Sequence, residues 1–332
     1  MTKLSFLDLV NVAEGESPAD AIRRVGSLAA HAEALGYHRY WIAEHHGMAG
    51  VAAAATSLII AEAGRTTSRM RIGSGGIMLP NHSPLLIAEQ FGTLDALFPG
   101  RVDLGLGRAP GSDGKVARAL RRDFMREAEE FPRNVIELRA HFTGEPDLGL
   151  LAVPGRGAAV EMWILGSSLF GAQLAAALGM PYAFASHFAP DLLDEALMIY
   201  RRDFKPSAQL RAPYAAAAMT AVAADTAAEA EYIASSTMQN FVALRTGNPG
   251  KLPPPVENYV QSLPPALSGM LGHVLQCSTI GTQDDVARGL RNFIARTQVD
   301  EVIVHSAAFD PAARMRSIEL IARAFAGLEP EG

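Results

Sequence analysis

Histidines, glycines and an arginine gather in four short stretches of this 332-residue chain: Trp41-Ile-Ala-Glu-His-His46, Gly73-Ser-Gly-Gly-Ile-Met-Leu-Pro80, Gly105-Leu-Gly-Arg-Ala-Pro-Gly111 and Leu165-Gly-Ser-Ser168. Glu44, His45 and His46 offer acid–base chemistry near neutral pH. Arg108 is a planar, permanently charged donor suited to a phosphate or a ring carbonyl. Ser167 and Ser168 run into a helical pattern, where free backbone N–H groups and a positive partial charge make an anion site. Ser74, Gly75 and Gly76 lie in a strand-like run, and adjacent glycines there mark a bulge, an unusual backbone or a closely approaching ligand. Two missing β-carbons leave room for something flat.

Each group also has a plainer reading. Successive strand residues face opposite ways, so only one of His45 and His46 can easily face inward, and the other is a hydrogen-bonded rim residue. That alternation, with no His-x-His pair in the chain, argues against a metal held by both. The glycines can serve barrel packing, Arg108 a surface salt bridge, and Ser167 or Ser168 a simple N-cap. Arg108 and the serines close neighbouring strands, so both can reach one anion. Gly105-Leu-Gly-Arg108 imitates a dinucleotide fingerprint, but Pro110 stands where the third glycine belongs. Trp41 and Trp163 read as core or pocket wall. No Walker-A loop and no Gly-x-Ser-x-Gly elbow occurs.

The elements that must position these residues alternate strand and helix almost from the first residue. Strands are expected at Leu4–Val10, Tyr40–Ala43, Met70–Leu79, Val102–Leu106, Glu161–Leu165, Tyr182–Ala185, Ala215–Ala223 and Glu301–His305. Ser17-Pro18 with Asp20 opens the first helix and Gly36 stops it. Thr226–Leu244 reads as the seventh helix, and Thr282 with Asp285 caps the next. Asp310-Pro311 starts the last. Eight apolar strands interleaved with helices favour an α/β fold, a (β/α)8 TIM barrel in one domain over residues 1–332, with insertions on its C-terminal face. All four stretches end strands, and that end of such a barrel carries the chemistry. Residues 246–268, rich in proline and glycine, are expected to form a lid near the mouth. Residues 143–160 form a second loop, expected near the same rim.

About half the residues are apolar and the net charge is −6, which fits a soluble globular protein. No Lys/Arg run is dense enough for nucleic acid or a membrane surface. The single cysteine, Cys277, excludes an intrachain disulfide and a cysteine-based zinc or iron–sulfur site. Asp8 comes too early for a signal-peptide core, and no apolar run reaches membrane-spanning length, so a cytoplasmic location is expected.

With those residues in hand, the chain resembles the bacterial luciferase-like flavin monooxygenases, most closely their unassigned single-gene branch. The likeness runs through Trp41–His46, Ile72–Pro80, Ala88-Glu-Gln, Leu94-Asp-Ala-Leu, Gly100–Arg108 and Ile280–Val286. It implies FMN at the C-terminal face of the barrel and reduced flavin supplied by a separate reductase. It also implies a homodimer and a small organic substrate oxidised with molecular oxygen. Residue by residue, it implies His45 as the catalytic histidine beside the flavin. Gly75-Gly76, next to Ser74, becomes a non-proline cis peptide under the ring. Arg108 and Ser168 become phosphate contacts, and Ser167 stands where luciferase has an acidic residue. A further phosphate-binding arginine is expected among Arg118, Arg121, Arg122 and Arg126. The alternatives are a flavin- or deazaflavin-dependent dehydrogenase on the same barrel and a non-catalytic flavin-binding protein.

Overall fold

Strand parity organises this molecule, although the strands read as unbroken apolar runs. In β1 (Lys3–Asp8), Leu4 and Phe6 join the layer between strands and helices, while Leu7 joins a smaller cluster on the barrel axis. Tyr40 and Ile42 of β2 (Arg39–Ile42) face outward and Trp41 inward. Val302 and Val304 of the last strand, Glu301–His305, face outward and Ile303 inward. A period of two is therefore present but hidden, because both faces are buried. The computed structural model describes residues 2–109, 114–120, 124–144 and 149–328; Arg121 and Arg122 lie outside them.

The sheet continues through β3 (Arg71–Met78), β4 (Val102–Gly107), β5 (Glu161–Gly166), β6 (Tyr182–Phe184) and β7 (Ala215–Ala223), all parallel. The Glu301–His305 strand, β9, pairs with both β1 and β7, and β6 pairs with β7. Eight strands thus close a parallel barrel inside a ring of helices, the expected α/β TIM-barrel fold. A ninth, β8 (Ser278–Gly281), had no sequence signal of its own. It extends the sheet above the rim by pairing with the last four residues of β7.

The helix starts follow their capping chemistry. Ser17 and Asp20 form a capping box at α1 (Pro18–Ala34), and Gly36 sits beyond its end at φ +84°. Helix α2 (Thr56–Thr66) packs beside α3 (Pro84–Leu97). Next come α4 (Gly114–Leu120), α5 (Phe124–Glu129) and α6 (Phe131–Thr143), then α7 (Leu169–Leu178) and α8 (Leu193–Asp203).

Two expectations change here. The helix after β7, α9 (Ala227–Arg245), is not the barrel's seventh helix. Its far end reaches the segment beyond β6: Phe241 lies 6.0 Å from Phe188, and Arg245 donates to the Phe188 carbonyl at 3.2 Å. With α10 (Tyr259–Ser262) and α11 (Pro265–Val274) it forms an excursion over the mouth. The returning helix is α12 (Gln283–Thr297), which is boxed by Thr282 and Asp285, leads into β9 and packs against α13 (Pro311–Ala326). Within the excursion, Leu252 is buried and exchanges backbone hydrogen bonds with Val12 and Glu14, past the C-terminal end of β1. The described part of the 143–160 segment, residues 143–144 and 149–160, by contrast lies at the opposite end of the barrel from the mouth. It joins α6 to the start of β5, and the Ala159 N–H donates to Asp95 near the end of α3 at 2.8 Å. Helices run antiparallel to the strands, so helix-to-strand links return to the strands' N-terminal end.

The floor of the barrel is ionic. Arg39 points inward and pairs with Asp103 at 2.8 Å, and with Glu301 and Glu161 at 3.1 Å each. Trp41 Nε1 donates to Asp103 at 2.9 Å, and Tyr214 donates to Glu301 at 2.9 Å. The Arg39 guanidinium lies 4.7 Å from the Trp163 ring centroid, and Trp41 meets Trp163 edge to face. Both tryptophans are core.

Candidate active site

At the mouth, Glu44 is the anchor. It is buried, and its carboxylate accepts from His46 Nε2 at 2.6 Å, His82 Nε2 at 2.8 Å and the Met78 N–H at 2.9 Å. Burial raises the Glu44 carboxyl, but hydrogen bonds from His46 and His82, the charge of His82 and the Met78 amide outweigh it and hold it at about 2. Among the described residues, Glu44, His46 and His82 are the one set of three potential metal-ligating side chains, their donor atoms within 4.8 Å of one another. In this structure both imidazoles bond one carboxylate oxygen, Oε1. His82 carries no local sequence signal for this role, because its approach to Glu44 depends on the turn after β3.

His45 does not join this triad. It is half-buried, and its Nδ1 is buried with no hydrogen-bond partner. Burial pushes its protonation below the usual histidine range, against the opposing effects of the Ala43 carbonyl and Glu44. His46 is therefore committed to Glu44, while His45 keeps a ring nitrogen available.

The Glu44 N–H donates to the Gly76 carbonyl at 3.3 Å, tying this group to the glycines. The Gly75-Gly76 peptide is cis, and the β3–β4 register shifts between Ser74 and Ile77. Protein atoms account for the missing β-carbons. One added at Gly75 would stand 2.7 Å from Leu7 Cδ1, and one at Gly76 2.6 Å from the Gly105 carbonyl oxygen. Ser74 is fully buried and its hydroxyl donates to the Gly105 carbonyl at 3.0 Å, so its side chain closes the β3–β4 seam.

Arg108 and the serines meet at the next strand ends. Gly107 pairs with Leu165 across β4 and β5, which brings Arg108 beside the Gly166-Ser-Ser168 turn. The exposed Arg108 guanidinium lies 4.1 Å from the ring centroid of Phe170, in the first turn of α7. Ser168 is the N-cap residue, yet its side chain makes no capping hydrogen bond, and Ser167 is exposed. A cation, two hydroxyls and a helix N-terminus converge there.

The sequence profile described as "Luciferase-like monooxygenase" matches residues 1–301. The chain belongs to the luciferase-like monooxygenase family. An Escherichia coli K12 protein named "Luciferase-like monooxygenase" is 49% identical over 317 residues, 95% of each chain. Among solved structures, apo-MsnO8 superposes with a TM-score of 0.86 at 31% identity, covering 100% of both chains. The oxygenating constituent of 3,6-diketocamphane monooxygenase from Pseudomonas putida, solved with FMN, shares the fold at a TM-score of 0.72 and 16% identity over 100% of both chains. Among the described residues of this family member, no helix is long and apolar enough to cross a membrane.

Two histidines of the mouth escaped sequence reading. His187, just past β6, and His305, which ends β9, have rings 5.8 Å apart. His187 Nδ1 and His305 Nε2 are both buried without a hydrogen-bond partner. The available signal was their place at strand ends. Burial lowers His187 to about 4, helped by His45, and lowers His305 to about 3, helped by His187 and Arg314.

These shifts set an acid limb for stability. His187 and His305 refuse protons that the unfolded chain accepts near pH 6.5, so stability present above that pH falls as the solution is acidified toward 4 and 3. Glu33 follows lower down. Burial raises its carboxyl, but the backbone N–H groups of Met70, Arg69 and Ser68 bring it to about 2, so its contribution is lost between about 4.5 and 2. Thermal melts from pH 8 to 3 are expected to show Tm falling from about pH 6.5 downward. The upper part should flatten in His305→Phe and the lower part in Glu33→Gln; an unchanged profile in both variants would contradict the assignment.

Proposed function

We propose that this protein is a flavin-dependent monooxygenase that uses reduced FMN and molecular oxygen to oxidise a small organic substrate. The observation that carries the reading is the pairing of an anion cradle, Arg108 beside the N-terminus of α7, with the unpartnered His45 nitrogen at the same end of the barrel. This donor set fits a phosphate-bearing flavin. Arg108 supplies fixed positive charge, Ser167 and Ser168 hydroxyls, and α7 its unused N–H groups. Gly75 and Gly76 hold the backbone between cradle and histidine, where the family resemblance puts the ring.

Reduced flavin, when bound, supplies the electrons that activate oxygen. His45 holds or delivers the proton at its free Nδ1. Its lowered basicity keeps it neutral near pH 7, able to accept a proton and pass it on. Glu44 and His46 fix the backbone from which His45 projects. A purely flavin-storing protein needs no such group. Reduced FMN arrives from a separate reductase.

Arg108→Ala is expected to weaken FMN binding by about 1.5–3 kcal/mol, the scale of a charge-assisted hydrogen bond. Fluorescence titration with FMN tests both role and cofactor: unchanged affinity moves the phosphate elsewhere, and no binding by the wild type removes the flavin reading.

The same reading includes a homodimer. Leu58 of α2 and Leu86 and Leu97 of α3 are 74%, 54% and 60% exposed, on helices bridged by Ser57 Oγ donating to Gln90 at 3.0 Å. Three large apolar side chains on adjacent helices suit an interface. The double substitution Leu58→Glu and Leu86→Glu is expected to weaken self-association at least about 10-fold in sedimentation equilibrium; a wild-type monomer at micromolar concentration would remove the dimer.

A further inference from the structure

The buried histidine pair has no work in the flavin site just described. The residue before His187 is pinned, since Ser186 Oγ donates to the Ala218 carbonyl of β7 at 2.5 Å. His305 lies opposite Thr220 of β7 in the register. His187, Thr220 and Thr237 line a cavity whose other walls are apolar, including Val222 of β7, Met238 and Phe241 of α9, and Leu271 of α11. Thr237 of α9 donates to the Ala307 carbonyl just beyond His305 at 3.3 Å, so the inserted helix roofs both histidines.

Buried polar atoms in native proteins are nearly always paired, and an unpaired one calls for an explanation. Here two imidazole nitrogens, on rings 5.8 Å apart, are unpaired: His187 lines the mostly apolar cavity, and His305 lies next to His187 and opposite the lining residue Thr220. We propose that His187 and His305 are the specificity residues for the oxidised substrate, binding its uncharged polar group between them while α9 and α11 enclose its apolar remainder. This rests on the monooxygenase reading and adds the substrate's chemistry to it.

Charge is the discriminating property. Two neutral imidazoles offer hydrogen-bond donors and acceptors but no counter-charge. The charged groups acting on His305 are Arg314 and Asp8, which pair with each other at 2.8 Å and so leave little net field. Among the described residues, the titratable group acting on His187 is His45. A carboxylate or ammonium entering this apolar chamber loses its hydration with nothing to replace it. A hydroxyl both donates and accepts, so it satisfies either arrangement of ring protons. The void as it stands is about 20 Å³, so a ligand enters by displacing side chains; Met238, unbranched and flexible, is suited to give way.

The test uses the flavin-free full-length protein with three probes of one chain length: 1-hexanol, hexanoate and hexylammonium, measured by calorimetry or competition at pH 7.5. Hexanol is expected to bind at least 10-fold more tightly than either ion. His187→Phe and His305→Phe should each lower hexanol affinity about 5–10-fold and leave FMN affinity unchanged, with melting curves and a second variant, His187→Asn, confirming folded protein. Equal binding of hexanoate, an unaltered preference in both phenylalanine variants, or no binding of hexanol overturns the proposal. FMN titration separates the two readings: a protein that binds FMN without preferring hexanol sinks this inference alone, and one that prefers hexanol but binds no flavin sinks the cofactor reading alone.

Discussion

His45→Ala is expected to cut oxygen-consuming turnover of the protein loaded with reduced FMN about 10²–10⁴-fold, the usual contribution of a general acid–base group, while leaving FMN affinity within a few-fold. The argument is positional. Trp41 and Ala43 face the barrel axis, and His45 continues that parity with its Nδ1 unpartnered. His46 instead spends its Nε2 on Glu44. His46→Ala should therefore lower stability or flavin affinity more than turnover, because it removes one of the donors that keep a buried carboxylate satisfied. Oxygen-electrode rates and FMN titrations on both variants decide it. A fully active His45 variant with an inactive His46 variant reverses the roles, and two fully active variants remove both histidines from the proton-transfer role.

Arg39→Met should destabilise the fold by about 3–5 kcal/mol, the cost of removing one partner from a buried ion cluster. Asp103 and Glu301 are wholly buried, and Arg39 is the cation they share. Removing it leaves Glu301 with neutral hydroxyl donors, Tyr214 and Ser5. Asp103 keeps Arg71 and Trp41. Denaturant titration should show a lower midpoint at unchanged slope. A loss below about 1 kcal/mol would mean that water or Arg71 compensates. This ionic layer lies at the other end of the barrel axis from His45, so folded Arg39→Met protein should keep its FMN affinity. That separates scaffold from site.

Much of this arrangement was legible from residues alone, because it rests on local rules. Capping at Ser17, Thr282 and Asp310 depends on side chains within three residues, and all three helices begin where those residues indicate. Apolar runs long enough for one strand and alternating with helices specify a parallel sheet, and its closure into eight strands follows. The ends of β2 to β5 come together because parallel strands deliver their C-terminal ends to one rim, so His45, Gly75, Gly76, Arg108 and Ser168 share a face. What only the tertiary structure decided concerns residues distant in sequence. The helical pattern of Ala227–Arg245 says helix, but whether that helix flanks the barrel or roofs it depends on contacts with Phe188 and Ala307. The donors to Glu44 include His82, brought in by the turn after β3, and the space vacated at Gly75 is taken by Leu7 from another strand. His187 and His305 share no segment and no local pattern. Their pairing, and the loss of basicity that accompanies it, exist only once β6 and β9 flank β7 under the inserted helix, because desolvation belongs to the folded surroundings rather than to the residue.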